Sequence, residues 1–292
     1  MSETFTIDGH EVELSRPDKL LFPAAGVAKR DLFAYYRRIW PTMAPHLRGR
    51  PVSVQRFPDG VEASGFFQKH VPEHYPAWMT RAELPAENES VAYLVVDSEA
   101  TAAYLANQAC VTLHVGLSRV EAPARPDRLI FDLDPSGDED DAHVRRGALL
   151  LRAHLDGSGL RPFAMSTGSR GLHVVCPLKP ELPFDEVRSR AAEIARAVAA
   201  RDPDHLTTQV RKDARDGRVF IDYLRNAYGQ TAVAPYSVRA RGEAPIATPL
   251  DWSEVEASDW SPRKTTLGNI FRRLGQKPDP WRDIDSARTE LA

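Results

Sequence analysis

Three aspartates at the ends of two apolar stretches are the residues of this sequence best suited to catalysis. Asp132 and Asp134 end the stretch 128–134, and Asp222 lies in the stretch 219–224. Side chains at positions i and i+2 of a β-strand share a face, so Asp132 and Asp134 are predicted to project together. Carboxylates this close repel one another unless a cation lies between them, and hard oxygen ligands favour Mg²⁺ or Mn²⁺. If the two strands are neighbours, the three aspartates can hold two metal ions that serve a 3'-hydroxyl and a leaving pyrophosphate.

Asp132 and Asp134 also allow two other interpretations. Aspartates that follow a strand often form only a turn, and for the pair alone this alternative stays open. The spacing Asp132-x-Asp134-x-Ser136-Gly137 also matches the start of an EF-hand calcium loop. Its twelfth position is His143 where a glutamate is required, and an apolar strand precedes it instead of a helix, so the calcium loop is excluded.

Charges near these aspartates are segregated, although the formal net charge of the chain is only -3. That net charge argues against a protein that coats nucleic acid by bulk attraction. An acidic focus followed by a basic stretch favours a metal site that serves a polyanion. The acidic residues of 127–140 are Asp127, Asp132, Asp134, Asp138, Glu139 and Asp140. The basic residues of 205–241 are Arg211, Lys212, Arg215, Arg218, Arg225, Arg239 and Arg241.

A glycine-rich turn within 165–173 lies between two apolar stretches. Around Gly168 and Gly171, small residues can expose backbone N–H groups that cradle phosphates. The side chains that can add hydroxyl or cationic contacts to a triphosphate are those of Thr167, Ser169, Arg170 and His173. The spacing fits neither a Walker A loop nor a dinucleotide-binding fingerprint, and a simple hairpin turn with a solvated arginine is the alternative for this motif alone.

Several single residues have both a structural and a functional interpretation. His114 lies in an apolar stretch, where a lone histidine is usually part of the core. Phe66 and Phe67 point to opposite faces of an extended segment, so one of the rings is normally part of the core. The functional alternative is that one ring stacks on a base while Lys69 meets a phosphate. Basic residues on an amphipathic helix are usually solvated. Those of the N-terminal segment that can instead bind a phosphate are Arg16, Lys19 and Lys29.

The elements that must position these residues follow from the periodicity of apolar side chains. Helices are predicted at 29–40, where Pro41 ends the pattern, at 143–154 and at 185–200. Strands are predicted at 51–57, 91–96, 128–134, 162–166, 172–176, 219–224 and 231–234. Because strands and helices alternate irregularly, the predicted fold class is α/β with a mixed (α+β) sheet. The tail beyond Leu250 carries Trp252, Trp260 and Trp281, and it is predicted to wrap back onto the body.

Composition limits the class of protein. Of the 292 residues, 42% are hydrophobic and 27% charged, which suits a chain that buries a core and excludes disordered and fibrous classes. The sequence has neither a run of about 18 apolar residues nor a signal-peptide core, so a cytoplasmic, nucleoid-associated location without a membrane is expected. Cys110 and Cys176 have no paired spacing, and both are predicted to be buried thiols.

Taken together, motifs spread over most of the chain resemble one known family. In order, they are Arg16-Pro-Asp-Lys19, Lys29-Arg-Asp-Leu, Gly65-Phe-Phe-Gln-Lys69-His, Phe131-Asp-Leu-Asp134-Pro, Thr167-Gly-Ser-Arg-Gly-Leu-His173, Phe220-Ile-Asp222-Tyr and Ala234-Pro-Tyr-Ser-Val-Arg239-Ala-Arg241. They resemble the primase-polymerase domain of bacterial ligase D, in the archaeo-eukaryotic primase superfamily. The joint occurrence of these motifs is far more specific than any one of them.

The resemblance implies a role for each motif. Asp132, Asp134 and Asp222 would be the catalytic metal ligands, with Mn²⁺ (or Mg²⁺) as the cofactor. Contacts with the nucleoside triphosphate would come from His114, Thr167, Ser169, Arg170, Gly171, His173, Gln230, Arg239 and Arg241. Contacts with a DNA gap or break that carries a 5'-phosphate would come from Arg16, Lys19, Lys29, Phe66, Phe67 and Lys69. Ku and a separate DNA ligase are the candidate protein partners.

The resemblance also implies an organisation for the chain. It predicts one primase-polymerase domain over 1–292, with an N-terminal DNA-end-binding segment at 1–50, a catalytic core at 51–250 and a C-terminal wrap at 251–292. Its fold would be a primase-like catalytic core with an N-terminal helical and strand extension. The family's usual lysine and serine in the glycine-rich turn are Arg170 and Thr167 here, and arginine contacts phosphate as a fork. Without a Lys-x-Asp-Gly adenylation motif, the expectation is a stand-alone polymerase or a piece of a longer protein.

The sequence therefore predicts a template-dependent nucleotidyltransferase that extends primer 3'-ends at gaps or double-strand breaks during DNA repair. Two other hypotheses stay open. One is a non-catalytic module that binds 5'-phosphorylated DNA ends, which the intact set of three aspartates disfavours. The other is a metal-dependent phosphodiesterase, which the triphosphate-shaped turn disfavours.

Overall fold

The computed structural model describes residues 2–85, 90–137 and 141–291. Its strands are β1 (Ser2–Ile7), β2 (His10–Ser15), β3 (Leu20–Phe22), β4 (Val27–Ala28), β5 (Pro51–Arg56), β6 (Phe66–Gln68), β7 (Arg81–Pro85), β8 (Ser90–Val95), β9 (Cys110–Gly116), β10 (Arg128–Asp134), β11 (Phe163–Ser166), β12 (Leu172–Pro177), β13 (Leu206–Thr207), β14 (Val219–Asp222), β15 (Thr231–Val233) and β16 (Thr248–Leu250). Its α-helices are α1 (Lys29–Leu47), α2 (Glu99–Asn107), α3 (Asp141–Gly157), α4 (Phe184–Ala199), α5 (Trp252–Glu256) and α6 (Ile270–Gln276). The predicted mixed α/β class is confirmed.

The chain forms two compact units, of which the first comprises residues 1–116, 231–246 and 266–270. Its main sheet has the order β15–β9–β5–β8–β7, and β6 also pairs with β5. Helices α1 and α2 pack on each other, and β1 and β2 form an antiparallel hairpin. Strand β9 lies between β15 and β5, so both edges of the strand that carries His114 are hydrogen-bonded.

Helix α1 extends beyond the predicted end at Pro41. It continues to Leu47 and contains both Pro41 and Pro45. Proline removes a helical hydrogen bond, but the apolar face continues through Met43 and Leu47, both fully buried. Burial of that face outweighs the local effect of the two prolines, so the helix end predicted from Pro41 is wrong.

The second unit comprises residues 117–230, 247–265 and 271–292. Its sheet has the order β13–β14–β10–β12–β11–β16, and only the β13–β14 pair is parallel. Phe131 and Leu133 of β10 are fully buried in the core, which includes α3 side chains such as Val144 and α4 side chains such as Val187. This burial places Asp132 and Asp134 on the opposite face of β10, as the alternating pattern predicts.

The C-terminal residues of the second unit are tied to its sheet by indole N–H groups. Trp252 Nε1 donates to Pro162 O, and Trp281 Nε1 donates to Ala164 O, both at 2.9 Å. Trp260 is also buried in the core of this unit. Within the described ranges, none of the helices combines the length and apolar character needed to cross a membrane.

Candidate active site

The central strands of the second unit place three functional side chains in a row. In the antiparallel register, Asp132 of β10 lies opposite Asp222 of β14 on one side and opposite His173 of β12 on the other. His173 Nε2 lies 3.5 Å from Asp132 Oδ1. The Nδ1 atom of His173 is buried and has no hydrogen-bond partner among the described residues, so it can serve a bound ligand. The two aspartate-bearing strands are neighbours that pair directly, which meets the condition set for a shared site.

Asp132, Asp134 and Asp222 are called the acidic edge below. Burial raises the pKa of the Asp222 carboxyl above its ordinary value. Repulsion by Asp132 and Asp134 raises this pKa further, while the Leu224 N–H and Arg225 lower it. Leu224 N donates to Asp222 Oδ1 at 2.7 Å, which fixes the orientation of the carboxylate. The acidic edge is therefore a set of mutually repelling groups held in place by backbone structure.

Asp134 is engaged by two arginines of the same unit. Arg170 Nη2 lies 3.4 Å from Asp134 Oδ1, and Arg215 Nη1 donates to Asp134 Oδ2 at 3.0 Å. The remaining Arg215 donors bond the carbonyls of Gln209 and Val210, and its guanidinium lies 4.2 Å from the centre of the Phe220 ring. These contacts bury the Arg215 side chain and neutralise Asp134.

The glycine-rich turn connects β11 and β12, and the Thr167 hydroxyl organises it. Thr167 Oγ1 donates to Gly171 O at 3.0 Å and accepts the N–H groups of Ser169 and Gly171, each at 3.2 Å. Two of the N–H groups that the sequence suggested for phosphate binding are thus bonded within the turn. Arg170, half-buried, is the cation that the turn presents beside Asp134.

The turn is also held from outside. A Cβ atom on Gly171 would lie 2.1 Å from Leu133 O, so only glycine allows the turn to lie this close to β10. Arg263 Nε donates to Ser169 O at 2.7 Å, which ties the C-terminal part of the unit to the turn. Both contacts fix the position of Arg170 relative to the acidic edge.

The donor chemistry of the acidic edge fits a hard divalent cation. Three carboxylates lie on adjacent, registered strands, and a cation between them would relieve the repulsion that raises the pKa of Asp222. As the side chains stand, no three His, Cys, Asp or Glu residues in the described part of the chain are arranged to hold a metal ion. Asp134 faces Arg170 and Arg215 instead. The acidic residues Asp138, Glu139 and Asp140, which the sequence adds to this focus, lie outside the described residues.

The first unit carries the predicted aromatic and histidine contacts. Phe66 and Phe67 of β6 are 48% and 57% exposed, which is unusual for phenylalanine and marks an available stacking surface. The Phe67 ring meets the half-buried His114 ring edge-on at 5.3 Å, and the Arg56 guanidinium lies 5.5 Å from the Phe66 ring. Lys69 follows β6 and is exposed.

Arg239 and Arg241 follow a buried, strained turn of the first unit. Tyr236 has φ of 65°, an unfavourable value for an aromatic residue. Tyr35 Oη donates to Tyr236 O at 2.6 Å, and Ser237 Oγ accepts Leu113 N of β9 at 2.8 Å. This turn fixes where the chain enters the Arg239–Arg241 segment. Gln230 is exposed at the last position of residues 117–230 in the second unit.

Arg16, Lys19 and Lys29 lie close together in the first unit and are called the basic pocket below. Lys29 is buried, and its Nζ donates to Ser15 Oγ at 3.3 Å and to Asn107 Oδ1 at 3.4 Å. Burial and the positive charges of Arg16 and Lys19 lower the pKa of Lys29 to about 8. Lys19 Nζ donates to Asp59 Oδ1 at 2.9 Å. The pocket thus has more positive charge than its neighbours neutralise, which suits a phosphate.

Sequence reasoning missed several side chains that complete these sites. Arg215 was counted only as part of a basic stretch, because a contact with Asp134, 81 residues away, leaves no local signal. Sequence patterns also gave no role to Ser15, Asp59, Asn107, Asn226 and Arg263. Their partners are distant in sequence, so the spacing of residues along the chain could not identify them. Contacts seen in related structures would have been needed.

The second unit thus combines a mixed sheet carrying registered aspartates with a turn that presents an arginine beside them. The family model described as LigD, primase-polymerase domain, matches residues 28–281. The chain belongs to this family, and the resemblance inferred from its motifs is confirmed.

Relatives are similar over nearly the whole chain. The chain is 31% identical over 283 residues to the multifunctional non-homologous end joining DNA repair protein LigD of Mycobacterium tuberculosis, covering 94% of this chain and 37% of that protein. It is 29% identical over 287 residues to LigD of Pseudomonas aeruginosa, covering 96% of this chain and 34% of that protein. The chain thus spans about a third of these relatives. The solved polymerase domain from Mycobacterium tuberculosis ligase D in complex with DNA matches with a TM-score of 0.88 and 31% identity, over 94% of this chain and 98% of that one.

Proposed function

We propose that the chain is a template-dependent nucleotidyltransferase that adds nucleotides to primer 3'-ends at DNA gaps or double-strand breaks, in end joining or gap filling. The observation that carries this proposal is the row Asp222, Asp132 and His173 on three paired strands, with Arg170 alongside. The names of the relatives, which place LigD in non-homologous end joining, support the repair setting. The solved relative in complex with DNA supports a DNA substrate.

The acidic edge is proposed to hold two divalent cations, Mn²⁺ or Mg²⁺. When bound, such ions supply the positive charge that favours the 3'-alkoxide and neutralises the leaving pyrophosphate. Asp132 and Asp222 are already opposite each other, whereas Asp134 must turn away from Arg170 and Arg215 to join them. Once Asp134 is released, both arginines lose their counter-ion beside the site. Arg170 can then contact a triphosphate oxygen as a bidentate donor.

The nucleoside triphosphate is proposed to lie against the glycine-rich turn. Arg170 and His173 would contact its phosphates, because both lie beside the acidic edge. The Thr167 hydroxyl maintains the turn, so its contribution is to shape the phosphate site. Family resemblance adds further nucleotide contacts at His114, Ser169, Gly171, Gln230, Arg239 and Arg241.

DNA is proposed to bind through the first unit. The basic pocket would hold a 5'-phosphate, since burial and the charges of Arg16 and Lys19 outweigh the single negative charge of Glu13 at Lys29. The exposed rings of Phe66 and Phe67 would stack on the end of the duplex, with Lys69 near its backbone. Ku and a separate DNA ligase are proposed partners.

Extension of a labelled primer across a short gap with a 5'-phosphate tests the proposal, with ribo- and deoxyribonucleotides compared in Mn²⁺ and in Mg²⁺. Wild type is expected to extend the primer. Asp132→Ala and Asp222→Ala are expected to lower the extension rate at least about 1,000-fold, because each removes a ligand of the cations that would stabilise the charge developing in the reaction. Binding of the gapped DNA should stay within twofold. Asp156→Ala, at an exposed position of α3, is the control and should extend normally.

Two results would overturn the assignment. Extension by both aspartate variants at the wild-type rate would exclude the acidic edge as the catalytic site. Tight binding of gapped DNA by wild type without extension in any condition would favour the alternative, a module that binds 5'-phosphorylated ends.

A further inference from the structure

The side chain of Asn226 hydrogen-bonds β10, the strand that carries Asp132, as a neighbouring β-strand would. Its side chain is fully buried. Ile130 N donates to Asn226 Oδ1 at 2.9 Å, and Asn226 Nδ2 donates to Ile130 O at 2.7 Å. The same Nδ2 donates to Tyr223 O at 2.9 Å. The side-chain amide therefore satisfies both backbone groups of one residue of β10 and also bonds the residue that follows Asp222.

These contacts occur where the β10–β14 ladder stops. The ladder pairs Asp134 with Phe220, Leu133 with Ile221 and Asp132 with Asp222, and β14 then ends. A continued strand would bring Leu224 opposite Ile130. Instead the chain turns at Asp222, whose carboxylate accepts Leu224 N, and the Asn226 amide takes the place of the missing peptide group.

This arrangement explains why the predicted strand 219–224 ends at Asp222 without leaving buried backbone groups unpaired. A turn directly after Asp222 would otherwise free the end of β14 from β10. The Asn226 side chain bonds β10 on one side and the Tyr223 carbonyl on the other. It closes the turn onto the strand two residues before Asp132.

We infer that Asn226 is a positioning residue of the acidic edge, which holds Asp222 opposite Asp132 although it contacts neither carboxylate. The inference rests on the proposed function, because it assumes that these carboxylates bind metal together. Asn226 sets the separation of two charges that repel each other, so its loss allows Asp222 and Asp132 to move apart. The main expected effect is then a lower affinity for a divalent cation, and a higher cation concentration should restore the activity.

Mn²⁺ binding to the full chain, followed through the electron paramagnetic resonance signal of the free ion, tests this role without turnover. Asn226→Ala is expected to raise the Mn²⁺ dissociation constant at least tenfold. Asn226→Ser, which keeps one donor and acceptor on a shorter side chain, should have an intermediate effect. The matched control is Asn269→Ala, which removes an amide that accepts Thr266 N in the first unit and should leave Mn²⁺ affinity unchanged.

Primer extension supplies the second measurement. For Asn226→Ala, the Mn²⁺ concentration for half-maximal rate should rise at least tenfold, while kcat at saturating Mn²⁺ returns to within threefold of wild type. A general loss of packing would lower kcat without rescue by the metal.

Several outcomes would overturn the inference. One is a folded Asn226→Ala or Asn226→Ser variant whose Mn²⁺ affinity lies within twofold of wild type. Failure of both variants to fold, judged by near-ultraviolet circular dichroism, would assign Asn226 to general stability instead. Equal Mn²⁺ binding by wild type and Asp132→Ala would contradict the metal site of the proposed function itself, which separates the two failures.

Discussion

The acidic edge and the basic pocket each gather like charges, but they are compensated in opposite ways. In the acidic edge, Asp134 is neutralised from within its unit by guanidinium groups, chiefly that of the buried Arg215. The basic pocket is compensated by neutral oxygens of Ser15 and Asn107, by the exposed carboxylate of Asp59 and by the negative charge of Glu13. Removing the buried Arg215 side chain, which also bonds two backbone carbonyls, is therefore expected to disturb the fold, whereas the contacts of the second set can be exchanged for a ligand with little loss.

This difference indicates how each site is prepared for a ligand. The acidic edge has a shape that the backbone determines, since Asp132 and Asp222 are opposite each other in the β10–β14 ladder and Asp134 lies two residues further along β10. The basic pocket has a charge state that can change, because the pKa of Lys29 lies at about 8. Backbone geometry is therefore the property to test at the acidic edge, and protonation of Lys29 is the property to test at the basic pocket.

The largest effect is expected where backbone geometry is most restrictive. Gly171→Ala would place a methyl group 2.1 Å from Leu133 O, so the glycine-rich turn must move away from β10. A shift of this kind is expected to lower nucleotide incorporation by about 100-fold or more. Primer extension measures it, with Gly157→Ala as control, since a Cβ there meets no atom within 4 Å. Equal activities of the two variants would show that the turn does not position the reacting groups.

Next in size is the loss of the buried guanidinium. Arg215→Ala removes the partner of Asp134 and of two backbone carbonyls, and it should lower the free energy of unfolding by about 2–4 kcal/mol. Lys19→Ala breaks only the pair with exposed Asp59 and should leave stability unchanged. Urea unfolding of both variants measures this difference in stability. Equal unfolding midpoints for Arg215→Ala and Lys19→Ala would contradict the proposed difference between the acidic edge and the basic pocket.

A smaller effect is expected from pH at the basic pocket. A bound phosphate favours protonated Lys29, so its pKa rises on binding, and free Lys29 with a pKa of about 8 must take up a proton above that pH. Affinity for DNA with a 5'-phosphate, relative to a 5'-hydroxyl, should therefore fall by about tenfold from pH 7 to pH 9. Lys29→Arg keeps its charge and should show a flat profile in fluorescence-anisotropy titrations. Parallel profiles for the two proteins would exclude Lys29 as the titrating group.

The smallest effect concerns Asp59. Its carboxylate competes with phosphate for Lys19, so Asp59→Asn should bind 5'-phosphorylated DNA about two- to fivefold more tightly. The gain should shrink in high salt, because the pair is exposed. Weaker binding by this variant would instead make Asp59 a structural support of the pocket.

The sequence predicted the acidic edge well because its information is local. Alternation in 128–134 gave the strand and the face of Asp132 and Asp134, and the burial of Phe131 and Leu133 agrees with it. The second strand was predicted two residues too long. Its end depends on Asn226, whose partner Ile130 is 96 residues away.

One prediction failed because packing outweighs local preference. Pro41 has a strong tendency to end helices, but buried Met43 and Leu47 keep α1 helical beyond it. The Thr167 hydroxyl bonds within its own turn in this structure, and its predicted contact with a triphosphate stays a prediction. The predicted segment boundaries at 50 and 250 and the roles of the other site residues also stay predictions.

The contact between Ile130 and Asn226 has a consequence for the order of assembly. Closing a loop of this length is entropically unfavourable until distant strands have met, so the β10–β14 ladder should form late in folding. During synthesis, Asp132 and Asp134 leave the ribosome long before Asp222 and Asn226. An unfinished chain therefore displays two of the three carboxylates of the acidic edge without the third.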